Sequence, residues 1–248
     1  VQTPSALDEA IEGLYSAFAI YPLPRNTDHC THCHTEADEA RLRSKPLRKL
    51  GLEELRDYAC DALWVWGDNK VFRHFLPRIY ELYVNTPNAP RVFDDPEIIF
   101  SKFRYGAWRT WPPNEQTAVE RFLHSFWDEI LTLAPGPAPE STDIESWLCS
   151  ISRAEDDLES YLGQWLDTAS LSSCLALSSF ILTSAITRSE TTGRNAFWED
   201  CKEQYLQLRK WVYTPEVLDR LENAANREDW KEHRAEFEAA ASMLRMPE

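Results

Sequence analysis

Glycine is scarce in this 248-residue chain: there are 7, at Gly13, Gly51, Gly67, Gly106, Gly136, Gly163 and Gly193, and no two lie close together. A loop that cradles phosphate needs clustered glycines so that the backbone can approach the oxygens. Their dispersal excludes the dinucleotide-binding, P-loop and kinase-type glycine motifs, and the G-x-S-x-G nucleophile elbow is missing as well. Asn-Gly and Asp-Gly hairpin turns are absent and Val is sparse while Leu is abundant, which points away from sheet. Neither H-E-x-x-H nor E-x-x-H occurs, so zincin and helical di-iron sites lack their ligands. Basic residues are also short, 26 against 41 acidic ones, and a net charge of −15 argues against nucleic-acid binding, which runs on Lys and Arg. The longest uncharged run, Thr168 to Thr187, could span a bilayer by length, but six serines crowd it. It reads as a buried helix of a protein that does not enter a membrane.

What remains is helical. Thr3-Pro4 gives a cap and a first-turn proline, followed by Leu7, Ile11, Leu14, Tyr15 and Phe18 on one face. Leu52 to Trp66 is amphipathic, Gly67-Asp68 breaks it, and Phe72 to Tyr83 forms the next stripe, with Pro77 either kinking or starting that helix. So short a turn predicts antiparallel packing of the two. Helical patterns resume at Glu97 to Trp108 and Asn114 to Leu133. After Pro135-Gly136-Pro137-Ala138-Pro139, the sharpest break, they return through Thr142–Ile151, Leu158–Leu166, the serine-rich run, Asn195–Tyr213, Thr214–Asn226 and Trp230–Leu244. The expected fold is all-α, an irregular array of antiparallel helix pairs, superhelical or solenoid-like, without a strict repeat. The expected division is an N-terminal part over 1–134 and a C-terminal part over 140–248, separate or continuous. The 10 tryptophans, spread along these stripes, read as core pieces rather than ligand platforms.

The densest chemistry is His29-Cys30-Thr31-His32-Cys33-His34. Cys30 and Cys33 have the spacing that lets two thiolates meet one zinc, with His29, His32, His34 or the distant His74 to complete a tetrahedron. The same residues match the C-x-x-C-H haem attachment motif, with Met243 and Met246 as methionine ligands, and a redox C-x-x-C, although the strand–helix context of thioredoxin-like folds is missing. The remaining alternative is a polar loop with no chemistry. Cys60, Cys149, Cys174 and Cys201 fall in helical patterns and read as small buried hydrophobes of a reducing, cytoplasmic protein. His74 and His124 read as packing or interface histidines.

Several segments together resemble a set of uncharacterised bacterial all-helical proteins. These are Pro22-Leu23-Pro24-Arg25, the Cys30 pair, Lys45-Pro46-Leu47, Trp66-Gly67-Asp68, Arg73-His74-Phe75-Leu76-Pro77-Arg78, Trp147-Leu148-Cys149 and Asn195-Ala196-Phe197-Trp198. The resemblance implies a bacterial, cytoplasmic origin and carries no activity.

Charge and scaffold together lead to a non-catalytic, acidic helical binding protein, in its sharper form an immunity or inhibitor protein that caps a basic partner such as a nuclease toxin. Between Pro135 and Asp167, Glu140, Asp143, Glu145, Glu155, Asp156, Asp157, Glu159 and Asp167 meet a single base, Arg153. Trp147 and Trp165 are expected as apolar anchors inside a carboxylate rim formed by Glu145, Glu155, Asp156, Asp157 and Glu159. The alternative is a zinc metalloprotein, enzyme or regulator, built on Cys30 and Cys33.

Overall fold

The computed structural model describes residues 3–86, 93–133, 144–184 and 196–245. The break at Pro135–Pro139, the acids Glu140 and Asp143, and Met246 lie outside them. Among the described residues the protein is all-α: twelve α-helices, short 3₁₀ turns, and two isolated bridges, His29 with Trp66 and Ala62 with Trp66, in place of any strand. No helix among the described residues is long and apolar enough to cross a membrane. The serine-rich run forms a helix over Leu171–Thr183, where Ser178 sits fully buried and donates to the Leu175 carbonyl at 3.0 Å. Turning hydroxyls onto the backbone of the preceding turn is how a helix buries serine without a penalty.

The chain packs as two compact units, Val1–Phe126 and Trp127–Glu248. In the first, α1 (Ala6–Phe18) lays Leu7, Ala10, Ile11, Leu14 and Phe18 against α4 (Asn69–Asn85). The cap of α1 is Ser5 rather than Thr3: its hydroxyl accepts the Asp8 N–H while the Asp8 carboxylate accepts the Ser5 N–H. A reciprocal capping box satisfies two orphan donors, which a Thr-Pro start cannot match. Then come α2 (Glu36–Leu42) and α3 (Leu52–Asp61). The stripe expected to run to Trp66 ends at Asp61, because Leu63 turns to φ 68° and the chain pairs with the cysteine loop instead. Pro77 lies within α4, where it is buried. Helix α5 (Pro96–Tyr105) and α6 (Pro113–Thr132) as far as Phe126 close the unit, with Tyr80 stacked on Phe103 at 4.4 Å and Phe100 and Phe122 against the same ring.

The second unit holds α7 (Ile144–Ala154), α8 (Glu159–Asp167), α9 (Leu171–Thr183), α10 (Lys202–Val212), α11 (Pro215–Asn226) and α12 (Arg234–Arg245). Trp165, at 0% exposure, meets Trp127 edge-on at 5.6 Å and stacks on Trp211 at 5.3 Å. The Trp127 indole donates to the Tyr161 carbonyl at 2.9 Å, so its polar edge is satisfied inside the core. The pattern expected to be continuous over Asn195–Tyr213 is split at Cys201, whose φ of −134° separates a 3₁₀ turn from α10.

Candidate functional site

The cysteine–histidine loop is fixed from beneath by Trp66. This ring is 2% exposed, and its Nε1 donates to the Thr27 hydroxyl at 3.1 Å. Thr27 in turn donates to the Glu39 carboxylate, which also accepts Arg43 Nε at 2.7 Å. Burial alone would push the Glu39 carboxyl up; the hydrogen bonds from Thr27 and Arg43 outweigh it and hold it below the usual range. Two backbone hydrogen bonds lay the loop on the segment after α3: Cys30 N–H to the Val65 carbonyl at 2.8 Å and Gly67 N–H to the Asp28 carbonyl at 2.7 Å. Gly67 has φ 73°, and a Cβ there would meet Val71 at 3.0 Å, so only glycine serves at this corner.

The Cys30 carbonyl accepts the N–H groups of Cys33 at 3.0 Å and His34 at 2.9 Å, closing a tight turn with the two cysteines at its ends. The backbone of His32 and Cys33 and the neighbouring Cys33 side chain lower the Cys30 thiol from its ordinary value. Cys33 is pushed the other way, first by the adjacent Cys30 side chain, then by desolvation and by the charges of Cys30 and Asp61. Cys30 is half-buried and Cys33 exposed.

The histidines point elsewhere. His29 Nδ1 lies 3.2 Å from the Thr27 carbonyl, and His32 is exposed. His34, 7% exposed, packs tilted against Trp66 with ring centres 4.2 Å apart, and its Nε2 sits 2.9 Å from Asp61 without the alignment of a hydrogen bond. His74 donates from Nδ1 to the Tyr21 carbonyl at 2.7 Å, and burial lowers its pKa. The structure therefore brings Cys30 and Cys33 together, and among the described residues no group of three or more His, Cys, Asp or Glu side chains gathers to hold a metal. Met243 lies in α12 of the second unit.

Beside Cys33 and His34 opens a cleft of about 480 Å³. Asp38, Asp57, Asp61 and Asp94 line it, with Arg56 as the lining cation and Cys60 in its wall. Asp38 is spent on capping α2: it accepts the Thr35 N–H at 2.8 Å and the Thr35 hydroxyl at 2.7 Å, which lower its pKa. Arg41 pairs with Asp38 and stands 3.8 Å from Asp57. Close by, Lys102 is 1% exposed, donates to the Cys60 carbonyl and lies 4.2 Å over the Trp64 ring; burial lowers its pKa to about 8. Composition gave no hint of this cleft, because its residues come from three separate stretches. A lone lysine between Ile99 and Phe103 was the one visible trace of Lys102.

No family model, curated protein or solved structure matches the chain.

In the second unit the acidic segment divides sharply. Asp156, Asp157 and Glu159 are exposed, and Asp157 accepts the Glu159 N–H at 2.6 Å at the head of α8. Glu155 is 2% exposed and accepts the Tyr161 hydroxyl at 2.9 Å. Glu145 is half-buried and accepts Ser184 at 2.7 Å and the Trp198 indole at 3.3 Å. Trp147 is half-buried, and Trp165 is wholly inside the core. The rim expected around these aromatics keeps Asp156, Asp157 and Glu159 at its surface; Glu155 and Trp165 serve the unit's own interior. Of the remaining cysteines, Cys149, Cys174 and Cys201 are buried as expected, while Cys60 is half-buried.

Proposed function

We propose that the protein is a non-catalytic acidic binding protein that receives a basic partner, in its sharper form an inhibitor or immunity protein for a toxin. The observation that supports this is the cleft beside His34, where Asp57, Asp61 and Asp94 stand with the already paired Asp38 against the lining Arg56 and the nearby Arg41. A Lys or Arg side chain entering it would meet Asp57, Asp61 and Asp94. Charges of one sign in a concave wall focus the field and speed encounter with the opposite sign. The alternative, a zinc protein, draws support from Cys30 and Cys33 alone.

The experiment is the binding of a hexa-arginine peptide, followed by fluorescence anisotropy at two salt concentrations. Two variants that change the net charge equally are compared: Asp57→Lys with Asp94→Lys in the first unit, and Asp156→Lys with Glu159→Lys in the second. The cleft reading expects the first pair to weaken binding at least about tenfold and the second to leave it nearly unchanged, a difference near 1.4 kcal/mol. Equal losses would reduce the effect to net charge and overturn the site. A loss confined to the second pair would move the partner to the α8 end of the second unit.

A further inference from the structure

We propose that Cys30 and Cys33 form a thiol–disulfide exchange centre, cycling between two thiols and an intramolecular disulfide. Three observations carry this. The first is the turn. Cys33 N–H bonds to the Cys30 carbonyl at 3.0 Å, so the two residues occupy the ends of a four-residue turn, whose terminal Cα atoms lie within about 7 Å of each other. A disulfide spans Cα separations up to about 6.8 Å, so the bond can close with little backbone movement.

The second is the asymmetry of the pair. The backbone of the turn at His32 and Cys33 lowers the Cys30 thiol, while Cys33, beside Cys30 and Asp61, is raised, so one sulfur of the pair is favoured as thiolate and the other as thiol. The sequence lacked the strand–helix frame that usually supplies this environment; here the turn supplies it directly.

The third is confinement. Cys149, Cys174 and Cys201 are buried, and burial pushes the Cys60 thiol up to about 12 while its Sγ–H faces the Phe93 carbonyl at 3.6 Å. Solvent-accessible thiolate chemistry therefore concentrates at one turn.

The step balances with a disulfide as the oxidant. The Cys30 thiolate attacks one sulfur of R–S–S–R′, forming a mixed disulfide with R–S and expelling R′–S⁻. Cys33 gives up its proton and attacks the Cys30 sulfur, forming the Cys30–Cys33 disulfide and expelling R–S⁻. The pair loses two electrons; the external disulfide gains them and leaves as two thiols once the thiolates are protonated.

The test uses the full chain and glutathione disulfide as the probe, with peptide mapping by mass spectrometry. Wild type should lose two mass units and map to Cys30–Cys33, reversibly with dithiothreitol. Cys33→Ser should accumulate a glutathione adduct on Cys30, and Cys30→Ser should form its adduct on Cys33 at least about tenfold more slowly, since thiolate fraction governs attack. Circular dichroism of each variant, matched to wild type, separates chemistry from unfolding. Equal adduct rates in the two variants, or an oxidised wild type whose disulfide maps elsewhere, would overturn the proposal. So would a chain that carries tightly held zinc and resists alkylation of both thiols until a chelator is added.

Discussion

The Nε2 atom of His34 stands 2.9 Å from the Asp61 carboxylate, joining the cysteine turn to the last residue of α3. The same imidazole lies 4.2 Å from the Trp66 ring centre, so one side chain anchors the turn to a helix end and to the core at once. His34→Ala removes both contacts and leaves a cavity beside Trp66. The expected loss is about 2 kcal/mol of unfolding free energy, read from the urea midpoint at constant slope, because a buried aromatic contact and its packing each contribute on that scale. A midpoint unchanged from wild type would show that the turn is held without this residue.

Glu155 and Asp156 are neighbours in sequence with opposite fates. Glu155 is 2% exposed and takes the Tyr161 hydroxyl; Asp156 is exposed. Glu155→Lys places an unmatched ammonium among buried groups and should cost about 3 kcal/mol or more, whereas Asp156→Lys should stay within about 1 kcal/mol. Thermal denaturation of the two single variants side by side checks this. Similar melting temperatures would contradict the burial of Glu155.

His74 gives a pH dependence with a definite sign. Burial lowers its pKa from the ordinary value of 6.5, so below that value the unfolded chain binds the proton more readily than the folded one. Its contribution is intact above pH 6.5 and is lost as the pH falls through the window between 6.5 and the lower folded value. His74→Asn, which keeps an N–H for the Tyr21 carbonyl, should flatten the fall in urea midpoint between about pH 7 and pH 5.5. A fall of undiminished size would assign the acid sensitivity to other groups.

The carboxylates beside Cys33 should also select among disulfides. Asp38, Asp57 and Asp61 line the cleft that Cys33 borders. The cationic disulfide cystamine should therefore oxidise the pair faster than anionic glutathione disulfide, and the gap should narrow at about 1 M salt, where the Debye length drops to about 3 Å. Stopped-flow measurement of Trp66-dependent fluorescence would follow both reactions. Faster oxidation by the anionic reagent would show that the cleft field does not reach the sulfurs.

The all-helical class was legible because apolar spacing and scarce glycine are local properties. Leu7 to Phe18 reads as one face in the sequence and is one face in the fold. The end of α3 was not legible. Leu52 to Trp66 keeps helical spacing throughout, but Trp66 is worth more as the floor of the cysteine loop than as the last turn of a helix, and that contact spans more than thirty residues. The acidic segment misled for a related reason. A run of carboxylates looks uniform in sequence, whereas Glu145 and Glu155 find hydroxyl and indole donors from the distant Ser184 and Trp198 and the nearby Tyr161. The C-x2-C spacing of Cys30 and Cys33 marked the pair; the turn that closes on the Cys30 carbonyl is displayed only by the folded chain.

The cysteine turn rests on the segment after α3 through the Cys30–Val65 and Gly67–Asp28 backbone hydrogen bonds. Held by these two bonds together with the Trp66 and His34 contacts, the turn can open while the helices beneath it stay folded, because local opening needs only the free energy of the contacts it breaks. The amides of Cys30 and Gly67 should then exchange with solvent deuterium far sooner than those of α4, and with the same protection factor as each other. Such a hinge would let a bulky disulfide reach the half-buried sulfur of Cys30 without any cost to the rest of the unit.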